Sequence, residues 1–121
     1  MNKNITKMML LLILVVFLSS PAMAMSDWDF VTLCKNGSTS AVQTAINGYG
    51  ANVNAKDGYN NTPLHMAAKY NPNSGVVLIL LNAGANAKAK DNYGNLPIYY
   101  AESNPGLQGT PALDALRRAS N

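Results

Sequence analysis

The chain has 121 residues, a length that fits one domain. Nine Lys and Arg face six Asp and Glu, for a formal net charge of +3, and 48% of the residues are apolar, which argues against a disordered chain. A single Cys excludes an internal disulfide and any Cys-rich zinc or iron–sulfur site, and a single His excludes a multi-His metal centre.

The first segment has three parts. Residues 1–7 are polar and carry Lys3 and Lys7. Met8 to Leu18 is an unbroken apolar run, and Pro21 then precedes Ala22-Met23-Ala24. This is the layout of a secretory signal peptide. At about 1.5 Å per helical residue the run falls well short of a roughly 30 Å hydrocarbon core. The expectation is a leader over residues 1–24, cut between Ala24 and Met25, and a periplasmic or secreted protein with no stable membrane insertion after cleavage. An uncleaved membrane anchor is the competing reading. Without the leader, seven basic residues face six acidic ones. A chain so near neutrality has no general electrostatic grip on nucleic acid or anionic lipid, so neither is an expected partner.

A repeat organises the remaining domain, residues 25–121. Gly50 to Asp57 matches Gly84 to Asp91 at six of eight positions, at an offset of 34. The register continues through Tyr59 and Tyr93, Asn61 and Asn95, Pro63 and Pro97, and Ala67 and Ala101. Such a period calls for stacked units, none of which can bury its apolar face alone. The units run over about 26–56, 57–90 and 91–121.

In the first unit, Asp29 to Gly37 reads as one helix and Ala41 to Ile46 as the next, ending at Gly48 or Gly50. Both are short and rich in Ser, Thr and Asn, which makes this unit the expected weak point. In the middle unit Thr62 is the N-cap and Pro63 takes the first helical position, where its missing N–H costs nothing. Asn71-Pro72-Asn73-Ser74-Gly75 is a helix-breaking turn. Val76 to Leu81 opens a second helix, apolar almost all round and so expected to be well buried. Gly84 is expected in the left-handed conformation that ends it. Ala85 to Asn95 then reads as a projecting hairpin. In the last unit Leu96 replaces the capping Thr, and the turn lengthens over Asn104 to Gly109. The offset drifts to 36, pairing Val77 with Leu113 and Leu80 with Leu116, and Arg117 and Arg118 close the final helix.

Thr62-Pro63-Leu64-His65-x-Ala67-Ala68, the apolar helix after it, Gly84-Ala85-Asn86 and the recurring Asp91 together resemble the ankyrin repeat. The resemblance covers roughly residues 28–119. The family unit is about 33 residues long, and the extra residue here fits the inter-helix turn. The resemblance implies an all-α repeat fold: an ankyrin-type solenoid of about three helix-turn-helix units with projecting β-hairpin loops. It also implies that His65 bonds near its helix start and between units.

Other chemistry is weaker. His65 is the first catalytic suspect, yet nothing in the sequence brings a nucleophile to it. Cys34 aligns with Ala68 and reads as a buried, inert thiol, with an intermolecular disulfide as the alternative. Asp57 and Asp91 recur at one loop position, which fits bonds to the turn backbone rather than a shared metal. Asp29 suits a helix start. Gly48-Tyr49-Gly50 lacks the strand before it and the Lys-Ser after it that a phosphate loop needs. No cofactor or metal is expected.

The candidate partner-binding residues are Lys56, Tyr59, Asn61, Lys90, Tyr93 and Asn95 at the hairpins, with Lys69 and Tyr70 at the end of the middle unit's first helix. Tyr gives a large contact area at low entropic cost. The resemblance places partners at hairpin tips and on the inner helix face. The leading reading is therefore an exported, non-catalytic protein-binding module, expected to be monomeric. The alternatives are an accessory, stabilising or inhibitory subunit of a periplasmic enzyme or complex and, more remotely, a hydrolase using His65.

If the leader is cut as read, intact-mass measurement on protein exported with its own leader finds Met25 at the N-terminus. A dominant species retaining Met1 identifies an anchor instead.

Overall fold

The structure, a computed structural model, describes residues 24–121. The leader and anchor readings fall outside the described residues, apart from the cleavage junction at Ala24 and Met25. Six helices follow: α1 (Asp27–Asn36), α2 (Thr39–Gly48), α3 (Pro63–Tyr70), α4 (Ser74–Asn82), α5 (Pro97–Ala101) and α6 (Pro111–Ser120). They pair as α1–α2, α3–α4 and α5–α6. In one layer α1 packs on α3 and α3 on α5; in the other α2 packs on α4 and α4 on α6. The core between the layers is small and aliphatic, with Leu64, Ala67, Ala68, Val76, Val77, Leu80, Leu113 and Leu116 fully buried. Phe30 is its one aromatic residue. Ala67 and Ala68 leave little between neighbouring helices, so the layers close tightly.

Short helices in a stack depend on their caps, because each end leaves backbone groups without partners. Ser26, Ser38, Thr62, Asn73 and Thr110 each accept a hydrogen bond from a backbone N–H in the first turn of the helix that follows. The exception is α5, where Leu96 has no side chain to offer and the helix is only five residues long. The lost Thr of the last unit thus has a structural consequence.

The first unit is better built than its sequence implies. Both of its helices are ten residues long, against eight for α3. They begin two residues earlier than expected because Ser26 and Ser38 cap them. Ser26 also donates to the Asp29 carboxylate at 2.6 Å. Met25 ties down the start of the unit: its N–H donates to the Tyr49 carbonyl at 3.1 Å.

The middle unit departs from expectation in two places. The inter-helix turn is shorter, since Asn73 caps α4 and Ser74 and Gly75 already belong to that helix. Only Val76, Val77 and Leu80 of α4 are fully buried, while Leu78, Ile79 and Leu81 pack at the core's edge. Gly84 does end the helix, at φ +94°. Its N–H returns to Leu81 and that of Ala85 to Leu80, the paired bonds of a Schellman motif.

The loops between units are tight turns without a strand ladder among the described residues, which corrects the β-hairpin expectation. Asp57 N–H donates to Asn61 carbonyl and Asn60 N–H to Asp57 carbonyl, and the second loop repeats this with Asp91, Asn95 and Gly94. Asn60 and Gly94, 34 apart, both take positive φ (60° and 78°).

Asn71 and Asn104 join the units to one another. The Asn71 side-chain amide is buried and donates to the carbonyls of Cys34 at 3.1 Å and Gly37 at 2.9 Å, at the end of α1. Asn104 does the same one unit on, to Ala68 at 3.0 Å and Asn71 at 2.9 Å. Gln108 folds back on the end of α5, donating to the carbonyls of Ala101, Glu102 and Asn104.

Two glycine substitutions separate strain from crowding. A side chain at Gly84 meets nothing within 4 Å but must adopt positive φ, so Gly84→Val lowers stability by more than about 1 kcal/mol. At Gly106 a Cβ lands 2.6 Å from the Pro72 Cα, so Gly106→Ala costs at least as much for a steric reason. Lys88→Ala, on an exposed loop, stays within about 0.5 kcal/mol of wild type. Urea unfolding midpoints check all three, and an unchanged midpoint for Gly84→Val refutes the placing of the helix end.

Candidate functional site

The loop tips are built by their aspartates. Asp57 Oδ1 accepts from the N–H groups of Tyr59 at 2.8 Å and Asn61 at 2.9 Å. Asp91 Oδ1 accepts from those of Tyr93 at 2.9 Å and Asn95 at 3.0 Å. Each carboxylate therefore faces into its own loop, while the tyrosine two residues on is thrown outward. Tyr59 is 70% exposed and Tyr93 85%. The two loops are tied together: Asn92 N–H donates to the Tyr59 carbonyl, and the Asn60 side-chain amide to Asn92 Oδ1 at 2.7 Å. Lys56 and Lys90 are exposed beside them.

Asn61 and Asn95 are placed differently from the rest of the candidate set. The Asn61 amide donates to Asp57 Oδ2 and that of Asn95 to the Tyr100 hydroxyl. Both are half-buried and serve the loop from inside.

On the layer of first helices a line of rings and ammonium groups crosses all three units. The Lys35 ammonium, from α1, lies 4.7 Å from the centre of the Tyr70 ring. Lys69 lies 5.1 Å from that same ring and 4.9 Å from the Tyr100 ring of α5. Tyr99 meets Tyr100 edge-on at 5.2 Å, and the Tyr100 hydroxyl donates to Asp91 Oδ2, back in the loop. This bond holds the Tyr100 hydroxyl above its ordinary pKa. Lys69, Tyr99, Tyr100, Glu102 and Ser103 line an open hollow of about 470 Å³ beside the line. Each lysine–ring contact at an exposed site stabilises by about 0.5–1 kcal/mol, enough to favour one arrangement without freezing it.

Lys69 and Tyr70 thus take the place the sequence assigned them, while Lys35, Tyr99, Tyr100 and Trp28 went unread as site residues. A signal was present: Lys35 and Lys69 are 34 apart, the offset of the loop tyrosines. Tyr99 falls at the His65 position of the last unit. Trp28, 65% exposed, shares an exposed stripe of α1 with Thr32 and Lys35 by helical spacing.

His65 is buried, and both of its nitrogens are engaged. Nε2 donates to the Asn95 carbonyl at 2.8 Å, joining α3 to the next loop. That bond fixes the neutral tautomer and leaves Nδ1 to accept from the Thr62 N–H at 3.2 Å. With both positions taken, the ring has none left for a substrate. Burial lowers its pKa against the opposing pull of the Asn95 carbonyl and of Asp91 and Asp57. Cys34 lies wholly inside the core, where burial pushes its thiol up to about 12. Such a thiol is neither nucleophilic nor reachable. Among the described residues no three His, Cys, Asp or Glu side chains gather as a metal site requires, and no helix is long and apolar enough to cross a membrane.

Stacked helix pairs with turned loops and a single shared core define a helical repeat protein. The particular family is indicated by its sequence: a family model described as "Ankyrin repeats (many copies)" matches residues 46–101, which supports the ankyrin-repeat family. No curated protein matches it. Ankyrin repeats mediate protein–protein interactions and are typically non-catalytic.

The neutral His65 gives the fold a pH dependence. A base whose folded pKa is lowered contributes in full above its unfolded value, ordinarily 6.5, and that contribution is lost as pH falls through and below it. Chemical unfolding followed from about pH 7.5 to about pH 5.5 should thus show falling stability in the wild type and a flatter profile in His65→Gln. The low folded pKa of Asp91, where donors from Tyr100, Asn95 and Tyr93 outweigh its burial, acts only at more acid pH. Parallel profiles for the two proteins refute the role given to His65.

Proposed function

We propose that the chain is an exported, monomeric, non-catalytic module that binds a partner protein through its loop tips and inner helix face. One observation carries this reading. Trp28, Tyr49, Tyr59, Tyr70, Tyr93 and Tyr99 are all exposed, while the core is built from aliphatic side chains and Phe30. Folding does not need these rings buried, and large exposed aromatics are the side chains that anchor interfaces. Tyr59 and Tyr93 stand on loops cross-linked to each other, so little order remains to be imposed on binding.

A second reading, an accessory or inhibitory subunit steadied by its partner, draws on the short, uncapped α5 of the last unit. In it the partner covers Tyr99 and Tyr100 and completes that unit, so complex formation raises the melting temperature.

Export places the partner in the periplasm or outside the cell, and a pull-down from those fractions with identification by mass spectrometry finds it. Tyr59→Ala combined with Tyr93→Ala then nearly abolishes its capture, since each buried anchor is worth about 2 kcal/mol, roughly thirtyfold in affinity. Circular dichroism and melting temperature barely move. Asn82→Ala, on the exposed end of α4, leaves capture intact. Undiminished capture by the double tyrosine variant means that the tips are turns and nothing more.

A further inference from the structure

The binding face has a sign that net charge conceals. Of the six acids, Asp57 spends its oxygens on its own loop, and Asp91 on its loop and on the Tyr100 hydroxyl of α5. Glu102, which lines the hollow beside Lys69, is held by Arg117 at 2.8 and 2.7 Å, and Asp114 reaches the same arginine at 3.3 Å. Asp27 and Asp29 lie in the first turn of α1. Lys35 is near the other end of that helix, about 9–12 Å away along the axis. The leader contains no acid.

The lysines have no such partners. Among the described residues the only ion pairs are those of Arg117, so Lys35, Lys56, Lys69, Lys88 and Lys90 each expose an unpaired charge. Two of them are held close together. Lys35 and Lys69 approach the one Tyr70 ring at 4.7 and 5.1 Å, so their ammonium groups are at most about 10 Å apart, near the screening length of physiological salt. Like charges at that spacing repel weakly, and a carboxylate seated over Tyr70 would meet both. Beside Lys69 stand Tyr100 and Tyr99, and Trp28 is exposed about two turns from Lys35 along α1, ready for apolar contact.

We infer that the partner presents an acidic segment, Asp or Glu side chains interspersed with aromatic or aliphatic anchors, seated across Lys35, Lys69 and the Tyr70 ring they share. This rests on the loop tips and inner helix face being the binding surface. The carboxylates answer the lysines, and the anchors pack on the tyrosines. A plain polyanion would find the lysines but leave the rings unused.

Fluorescence anisotropy with labelled peptides tests this on the purified protein. The probes are an alternating Glu/Phe peptide, a Lys/Phe peptide of equal length, single-stranded DNA and vesicles of anionic phospholipid. The Glu/Phe peptide binds, more weakly as salt rises, and the Lys/Phe peptide does not. Lys35→Gln with Lys69→Gln weakens binding about tenfold or more, through the loss of two charge-assisted contacts. Lys35→Arg with Lys69→Arg retains it. All four changes are at exposed side chains, and an unchanged melting temperature verifies the fold. Equal binding of the two peptides, or indifference to the Lys→Gln pair, overturns the inference. DNA or vesicles binding as tightly as the Glu/Phe peptide overturns it in favour of a polyanion surface. If Tyr59→Ala with Tyr93→Ala releases the partner while the Glu/Phe peptide ignores the lysines, the surface binds and its acid preference is wrong. If neither the tyrosine pair nor the Lys→Gln pair has any effect on capture, the surface itself is wrong and the inference falls with it.

Discussion

A helix that stops inside a stack leaves carbonyl groups pointing at the next unit, and burying them without partners costs about 1–3 kcal/mol each. Asn71 and Asn104 meet this constraint with a side-chain amide carrying two donors to the helix end of the preceding unit. The same side chains accept from Asn73 and Gly106 N–H, which shapes the turns they sit in. One residue per junction thus orders its own turn and holds its neighbour. Gln108 satisfies the same kind of carbonyls from within the last described unit.

The opposite side of each junction is held by a second polar link. His65 reaches the Asn95 carbonyl of the following loop, and Asn54 donates to the Gly84 carbonyl while accepting from the Asn86 N–H. Polar bonds on both flanks let the helices between them be small-faced. Ala67 and Ala68 sit where a larger side chain would separate the layers. A core this lean has room for few aromatic rings, and the tyrosines lie outside it. Surface exposure of the rings is in this sense a consequence of how the units are joined.

How much of this was legible in the sequence depends on how far each interaction reaches along the chain. The period of 34, the Thr62 cap, the turn of Gly84 and the inward-facing Asp57 and Asp91 are local, and local spacing announced them. Asn71 read only as a helix breaker because its partners, Cys34 and Gly37, lie 37 and 34 residues away. The first unit looked weak because Ser and Thr count against a helix interior; two of its serines are caps, where the same chemistry favours a helix. The loop half of the candidate site was legible because Tyr59 and Tyr93 repeat in register. The helix half was legible only in Lys69 and Tyr70. Its line runs from Lys35 through Tyr70 and Lys69 to Tyr100, and no single unit contains it.

The near-neutral composition of residues 25–121 gives them no general grip on polyanions, yet it averages over groups that do not act alike. Turn formation draws the loop acids inward, because an ionised carboxylate is the strongest acceptor available to two backbone N–H groups at once. Lysine has no acceptor to offer a turn, and its long stem keeps the ammonium in water. The loops and first helices therefore sort charge by chemistry: acids serve the backbone and lysines are left for the surface. The same bonds that make Tyr59 and Tyr93 project also turn the carboxylates that follow Lys56 and Lys90 into their loops. Loop geometry and surface charge are one outcome of placing aspartate at positions 57 and 91, and each repeat unit added with that aspartate would extend both.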